Sequence, residues 1–257
     1  MSVLTLPEPQ GWVSSGRRLV LVTVAGLAPA VAALGFGLRA LLRGNYLTAV
    51  VMCGLGASFV LVVIALQLVR RGRTALRADH DSTGTVLLPD RRFSALVVVS
   101  LVLATMSMLA IAVAVPMGAF DIPMSSGMRM FSPLVAGFGA LVGVAGLLTG
   151  WRRGGVGYVG LSPDGVDIAN IVYTESVDWD DIAQVTDTAH GKKTRKAVVL
   201  QLQDGSEKVI DGADLYVPGG ATLYWMVRHY WLHAADRTEL GDGRALTRMC
   251  DGRFATA

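Results

Sequence analysis

Cysteine is almost missing from this chain of 257 residues. Cys53 and Cys250 stand alone, with no spacing that suits a disulfide framework or a metal motif. Lysine is absent from residues 1–150, where every cation is an arginine. Charge of either sign is scarce, at 17% of residues against about 25% in an ordinary soluble domain. The sequence has no Gly-rich phosphate loop, nucleophile elbow or Cys/His pair, which argues against the common nucleotide-binding and nucleophilic enzymes. The net charge of +3 and the pI near 9.0 do not describe a nucleic-acid binder either. Residues 1–150 hold 11 arginines and 5 acids, whereas residues 151–257 hold 12 Lys or Arg and 15 acids. The positive excess therefore lies between apolar runs, where cations fix membrane orientation.

What the chain has instead is hydrophobic length: 52% of residues are apolar and the mean hydropathy is +0.49. Four runs at about 19–38, 46–69, 93–117 and 131–151 carry almost no charge. Each is close to the ~20 residues that a helix needs to cross a ~30 Å hydrocarbon core. They predict an α-helical membrane domain of four transmembrane helices over residues 19–151, after an N-terminal segment 1–18. Ala28-Pro29-Ala30 offers a signal-peptide alternative for the first run. The long polar lead and full apolar length fit a retained span better than the ~7–15-residue core of a signal peptide. Pro29 predicts a kink in mid-span, and Pro133 falls in the first turn of the fourth helix. Residues 78–92, with Asp79, His80 and Asp81, read as a polar connection that turns at Pro89-Asp90.

The arginines give an orientation. Arg17 and Arg18, then Arg70, Arg71, Arg73, Arg77, Arg91 and Arg92, then Arg152 and Arg153 flank one side of the spans; Arg39, Arg43 and Arg129 flank the other. The positive-inside rule predicts an inner (plasma) membrane protein with both termini in the cytoplasm. Inside the runs the polar groups are Thr23, Ser58, Ser100, Thr105, Ser107 and Gln67, with no ionisable side chain deep in a span. That argues against a proton or ion path. Gly139, Gly143, Gly146 and Gly150 recur on one side of the fourth helix, a helix-packing face for a neighbouring span or for another membrane subunit. The methionines Met117, Met124, Met128 and Met130 lack the His or Cys partners of a metal site and read as apolar filler.

From Val156 the period changes to that of strands. Val159, Leu161, Val166 and Ile168 flank the turn Ser162-Pro163-Asp164-Gly165; Ile171–Trp179 and Ile182–Thr188 follow; Val198, Leu200 and Leu202 alternate before Asp204-Gly205 and a return over Ser206–Ile210. Leu223, Met226, Val227, Tyr230 and Ala234 form the stripe of one amphipathic helix. Residues 241–257, with Gly241, Gly243 and Gly252, read as a flexible tail.

The segments Gly160-Leu161-Ser162-Pro163-Asp164-Gly165-Val166 and Val177-Asp178-Trp179-Asp180-Asp181-Ile182-Ala183-Gln184-Val185, in this order of elements, resemble the bacterial pleckstrin-homology (PH-like) domains. The resemblance implies a β-rich domain over 152–240, capped by one α-helix and used for binding, with Trp179 and Ile182 in its core. Such a domain joined to a few spans looks actinobacterial, and the richness in Gly, Ala, Val and Arg fits a GC-rich genome. The overall layout is similar to the LucA-type accessory factors of mycobacterial Mce lipid importers. That likeness implies a non-enzymatic subunit, without cofactor or metal, that binds other integral membrane subunits of a fatty-acid and cholesterol uptake complex.

The alternative is a membrane-surface sensor. Lys192, Lys193, Arg195 and Lys196 form the dense cationic cluster of an otherwise acidic half, so they are candidates for anionic phospholipid headgroups or a merely solvated loop. His229 and His233, four apart, lack a third ligand for zinc. Asp178, Asp180 and Asp181 border a turn without a partner base and read as local capping.

Overall fold

The computed structural model describes residues 6–12, 16–153, 155–169, 174–190 and 194–255. The chain divides into two units. One comprises Ser15–Gln67 and Ser94–Gly154; the other gathers Met1–Ser14, Leu68–Phe93 and Gly155–Ala257.

The helical unit is built on α1 (Gly16–Leu42), α2 (Tyr46–Arg70), α3 (Arg91–Ala114) and α4 (Ser126–Arg152). All four are long and apolar enough to cross a membrane, and this is a membrane protein. Helix α3 ends at Ala114, short of the run's apolar limit at Met117. Pro116 lacks the N–H that a further turn needs and disfavours helix at the residue before it. Ser125 starts α4, its hydroxyl accepting from the Met128 N–H at 3.3 Å.

Small residues let consecutive helices approach. A Cβ on Gly37 of α1 would lie 2.7 Å from Cys53 Sγ and 3.2 Å from the Ala49 carbonyl of α2. Several span hydroxyls and amides make bonds of their own. Gln67 Nε2 donates to Thr23 Oγ1 at 3.1 Å, Ser100 Oγ to the Ser58 carbonyl at 2.9 Å and Thr105 Oγ1 to the Leu101 carbonyl at 2.7 Å. The first joins α1 to α2 and the second α2 to α3, and in lipid such interhelical bonds contribute roughly 0.6 kcal/mol each; the Thr105 bond stays within α3. The outer face of α4 carries Leu134, Val135, Phe138 and Leu141 exposed, as a lipid-facing surface requires.

The second unit is larger than the expected domain over 152–240. Its first two strands, β1 (Arg77–Asp81) and β2 (Gly84–Leu88), come from the connection between α2 and α3. Where a polar linker was expected, the chain makes a hairpin and enters a sheet. Asp81 Oδ1 accepts from the Thr83 and Gly84 N–H groups at 2.8 and 3.1 Å, which closes the turn. Gly84 is required there because a Cβ would stand 2.5 Å from the Leu161 carbonyl. Strand β2 pairs with β3 (Tyr158–Leu161), which continues through β4 (Gly165–Ala169) to β5 (Thr174–Asp178). The result is a five-stranded antiparallel sheet in sequential order.

Trp179–Asp181 form a 3₁₀ turn, and β6 (Ile182–Thr186), β7 (Val198–Leu202) and β8 (Glu207–Ile210) make a second, three-stranded antiparallel sheet. The expected strand over Ile171–Trp179 is thus observed as β5; residues 170–173 lie outside the described ones.

Helix α5 (Ala221–Leu232) follows, then α6 (Glu239–Asp242) and α7 (Arg244–Asp251). The stretch expected as a loose tail is therefore folded through Asp251. Ala245 and Met249 of α7 are fully buried, and Phe254 beyond it nearly so. Gly243 and Gly252, with φ of +81° and +65°, are caps of α7 and not marks of disorder.

The core gathers Leu87, Val159, Leu161, Val166, Trp179, Leu200, Ile210, Leu223, Met226, Tyr230, Leu240 and Met249. Trp179 hydrogen-bonds the Ser162 carbonyl through Nε1 at 2.8 Å, and the Arg237 guanidinium lies 5.3 Å from its ring centre. Thr85 Oγ1 donates to the Leu240 carbonyl at 2.7 Å, so the hairpin from between the spans and the C-terminal helices share one interior.

Asp90, 5% exposed, braces the hairpin where it leaves the sheet. Its Oδ1 accepts from the Arg92 and Phe93 N–H groups at 2.6 and 3.2 Å, capping α3, and its Oδ2 accepts from the Ala75 N–H at 2.8 Å. Burial alone would raise its pKa, but these three donors and Arg92 outweigh it and hold the carboxyl below the usual range. A depressed carboxylate stabilises the fold above its unfolded-state pKa, and that contribution is lost as pH falls through the folded one. Asp90→Ala is expected to cost about 2 kcal/mol. Thermal melts at pH 7 should show the loss, and it should shrink in acid below the usual carboxylate range.

Candidate interaction surface

Of the cationic cluster, Lys192 and Lys193 lie outside the described residues. Its other two members are engaged within the fold. Arg195 Nη2 sits 2.7 Å from Asp214 Oδ1, and its backbone N–H donates to Asp211 Oδ1 at 3.0 Å. Asp214 is 3% exposed; burial pushes its pKa up while Arg195 and Lys196 pull it back. Lys196 Nζ lies 2.5 Å from Glu8 Oε1 and 3.0 Å from the Gly219 carbonyl, with the Trp12 ring centre 5.8 Å away. Lys196 also has φ of +46°, the one left-handed non-glycine among the described residues. This lysine is therefore turned to bind another part of the chain.

That part is the N-terminal segment, whose role was not legible in the sequence. Gly11 N–H donates to Asp187 Oδ2 at 2.8 Å, Trp12 Nε1 to the Ala197 carbonyl at 3.0 Å, and Trp225 Nε1 of α5 to the Pro7 carbonyl at 2.8 Å. Trp12 packs edge-on to Tyr224 with ring centres 6.1 Å apart, and Tyr224 edge-on to Trp225 at 5.0 Å. A Cβ on Gly11 would lie 2.5 Å from Asp187 Oδ1 and Thr188 Cγ2, so only glycine fits so close to this loop. The segment explains why Ala221–Val227 is buried on every side, although a single apolar stripe was expected of α5.

The other end of α5 meets a polar cluster. His229, 8% exposed, stacks on His233 with ring centres 4.5 Å apart, and its Nε2 lies 3.0 Å from Asp236 Oδ2. Arg248 of α7 grips Glu239 with Nε and Nη2 at 2.8 and 2.7 Å, and Tyr230 OH donates to the same carboxylate at 3.2 Å. His233 Nδ1 lies 3.0 Å from the His229 carbonyl, whereas His229 Nδ1 is buried without a hydrogen-bond partner. Among the described residues, no group of three or more His, Cys, Asp or Glu side chains forms a metal-binding arrangement. Burial lowers the pKa of His229 despite its contact with Asp236.

In the helical unit, Gly139 and Gly143 of the proposed packing face turn toward α3. Gly139 lies under Met108, and Gly143, buried, lies under Thr105. Gly146 and Gly150 are half-buried. Among the orientation arginines, Arg70 closes α2 and Arg77 opens β1, both half-buried, as is Arg153 beyond α4; Arg71, Arg73 and Arg152 are exposed. Asp180 is paired with Arg237 at 3.6 Å, consistent with a structural part for that acidic turn.

No protein-family model matches the chain, and comparison with curated proteins and with solved structures finds no significant match.

Proposed function

We propose that this chain is a non-enzymatic accessory subunit that couples the spans of an inner-membrane complex to a recognition module on the cytoplasmic face. One observation carries the reading: three stretches of chain, interleaved with four spans, fold into a single unit. Residues 13–15 separate the docked N-terminal segment from α1, residues 71–76 separate α2 from β1, residues 89–90 separate β2 from α3, and residues 153–157 separate α4 from β3. Linkers this short leave little slack between a partner held by the spans and one held by the module. Folding of the three stretches together also requires them to lie on one side of the bilayer, as an even number of crossings does. The arginines favour the cytoplasmic side.

Two antiparallel sheets followed by α5 support the PH-like assignment of the module. The hairpin from between the spans and the helices α6 and α7 are additions to that outline. The layout is similar in kind to that of the accessory factors of Mce-type lipid importers, which would make other integral membrane subunits its partners. Purification from native membranes in mild detergent is expected to recover such subunits with the chain; a lone monomer overturns the reading. Orientation has its own readout. Cys250 is exposed, so in a Cys53→Ala background a membrane-impermeant maleimide should label it only after the cells are opened.

A further inference from the structure

The N-terminal segment sits on the second unit as a peptide ligand sits on a receptor. It adds no strand to either sheet; Pro9 and Trp12 are buried, while Pro7, Glu8 and Gln10 between and around them are exposed. Residues Pro9 to Trp12 form a turn closed by the Trp12 N–H on the Pro9 carbonyl at 3.2 Å. Every surrounding contact comes from the receptor side. Trp225 and Tyr224 supply an aromatic wall, Asp187 accepts from the Gly11 amide, the Ala197 carbonyl accepts from the indole, and Lys196 meets the acid. An anchor tryptophan in a pocket, a proline-stiffened backbone and one charge pair are the ordinary means of peptide recognition.

We propose that the groove between α5 and the residues Asp187, Lys196 and Ala197 is a peptide-recognition site. Its ligand class is a turn-forming segment of the Pro-Glu-Pro-x-Gly-Trp kind with one acidic side chain, and the chain's own residues Leu6–Trp12 occupy it as a displaceable strap. A segment tethered this closely experiences an effective concentration on the order of millimolar. A groove of micromolar intrinsic affinity is then closed in nearly every molecule, and a competing peptide binds the intact chain about 10²–10³-fold more weakly than it binds the open groove. A neighbouring subunit bearing the same chemistry, held beside the chain in the membrane, has the local concentration to displace the strap. The inference goes beyond the accessory role and does not depend on which complex the chain joins.

The test uses the full chain with a specific protease site inserted at residues 13–15, cut after purification in detergent and separated from the freed segment. A fluorescent peptide of residues 4–12 should bind the cut chain with a Kd on the order of micromolar and the uncut chain at least ~100-fold more weakly. The Trp12→Ala peptide should bind the cut chain at least ~100-fold more weakly than the parent peptide. A cut chain that melts as the uncut one does yet binds no peptide overturns the proposal, as does equal binding of the Trp12→Ala peptide. If cutting unfolds the chain, hydrogen exchange on the uncut protein decides. Amides of residues 6–12 should open well before those of α5, and opening of both only in global unfolding overturns the proposal.

Discussion

Residues 155–257 produced alone are expected to show no cooperative melting transition. They contain the turn Ser162-Pro163-Asp164-Gly165, strands β3 to β8 and all of α5 to α7, but they lack β1 and β2 and the segment 6–12. Strand β2 lies between β1 and β3, so its removal uncovers Leu161, Val159 and their backbone edge, and it deletes the fully buried Leu87 and Thr85. Emptying a single buried leucine site costs about 2–5 kcal/mol, and a buried Trp such as Trp12 about 3–5 kcal/mol. Together these losses approach or exceed the ~5–15 kcal/mol by which a domain is ordinarily stable.

The register of β2 on β3 shows how to restore the fold without a membrane. Leu87 faces Val159, so the end of β2 lies beside the start of β3. A chain running from residue 74 to 90, through a short Gly/Ser linker, then from 155 to 255, should melt cooperatively, and at a higher temperature when the 6–12 segment is supplied. Circular dichroism melts of both versions check the pair. Cooperative folding of 155–257 alone would sink the claim that the three stretches depend on one another.

The missing hairpin shows where sequence patterns fail. The spans were legible because uninterrupted apolar length is a strong signal that needs no partner to interpret. Strand β1 reads Arg-Ala-Asp-His-Asp, polar on both faces, because it is a sheet edge and buries little. Only Asp81-Ser82-Thr83-Gly84, with an Asx-type turn at its centre, hinted at a hairpin. The C-terminal glycines misled for a related reason: Gly243 and Gly252 suit either a loose chain or helix caps, and the buried Met249 between them decides for caps.

In α5 the members Leu223, Met226, Val227 and Tyr230 of the expected stripe form the face turned to the core, whereas Ala234, its last member, lies beyond the end of α5 in a 3₁₀ turn and is exposed. Tyr224 and Trp225 on the other side are covered by residues more than 200 positions earlier, and no local period can reveal that. The cationic cluster likewise looked free because Glu8 and Asp214 stand far from it in sequence.

Arg248→Ala is expected to loosen the C-terminal helices and to change how stability depends on pH. Arg248 holds Glu239 through two parallel bonds, and Glu239 is 9% exposed, with Tyr230 OH as its other donor. Truncating the arginine leaves a desolvated carboxylate short of its main partner, at a cost of about 3 kcal/mol, the low end for a broken buried pair because Arg248 keeps some contact with water. Arg248→Lys preserves the charge but not the paired bonds and should recover only part of the loss.

The pH dependence has a definite sign. Arg248 above all holds the Glu239 carboxyl below its usual range, so its contribution is complete above the unfolded-state pKa and disappears as pH falls through the folded one. Burial depresses His229, so the unfolded chain takes up its proton first on acidification, and stability also falls as pH drops through the histidine range. The parent should therefore lose stability in two acid steps, the upper from His229 and the lower including Glu239. Arg248→Ala should remove most of the Glu239 share of the lower step and shrink the upper one, because the Arg248 charge helps to keep His229 neutral. Melting temperatures taken from pH 8 to pH 4 would show both changes. Parallel curves for the parent and Arg248→Ala would mean that the cluster is not what binds α7 to α5.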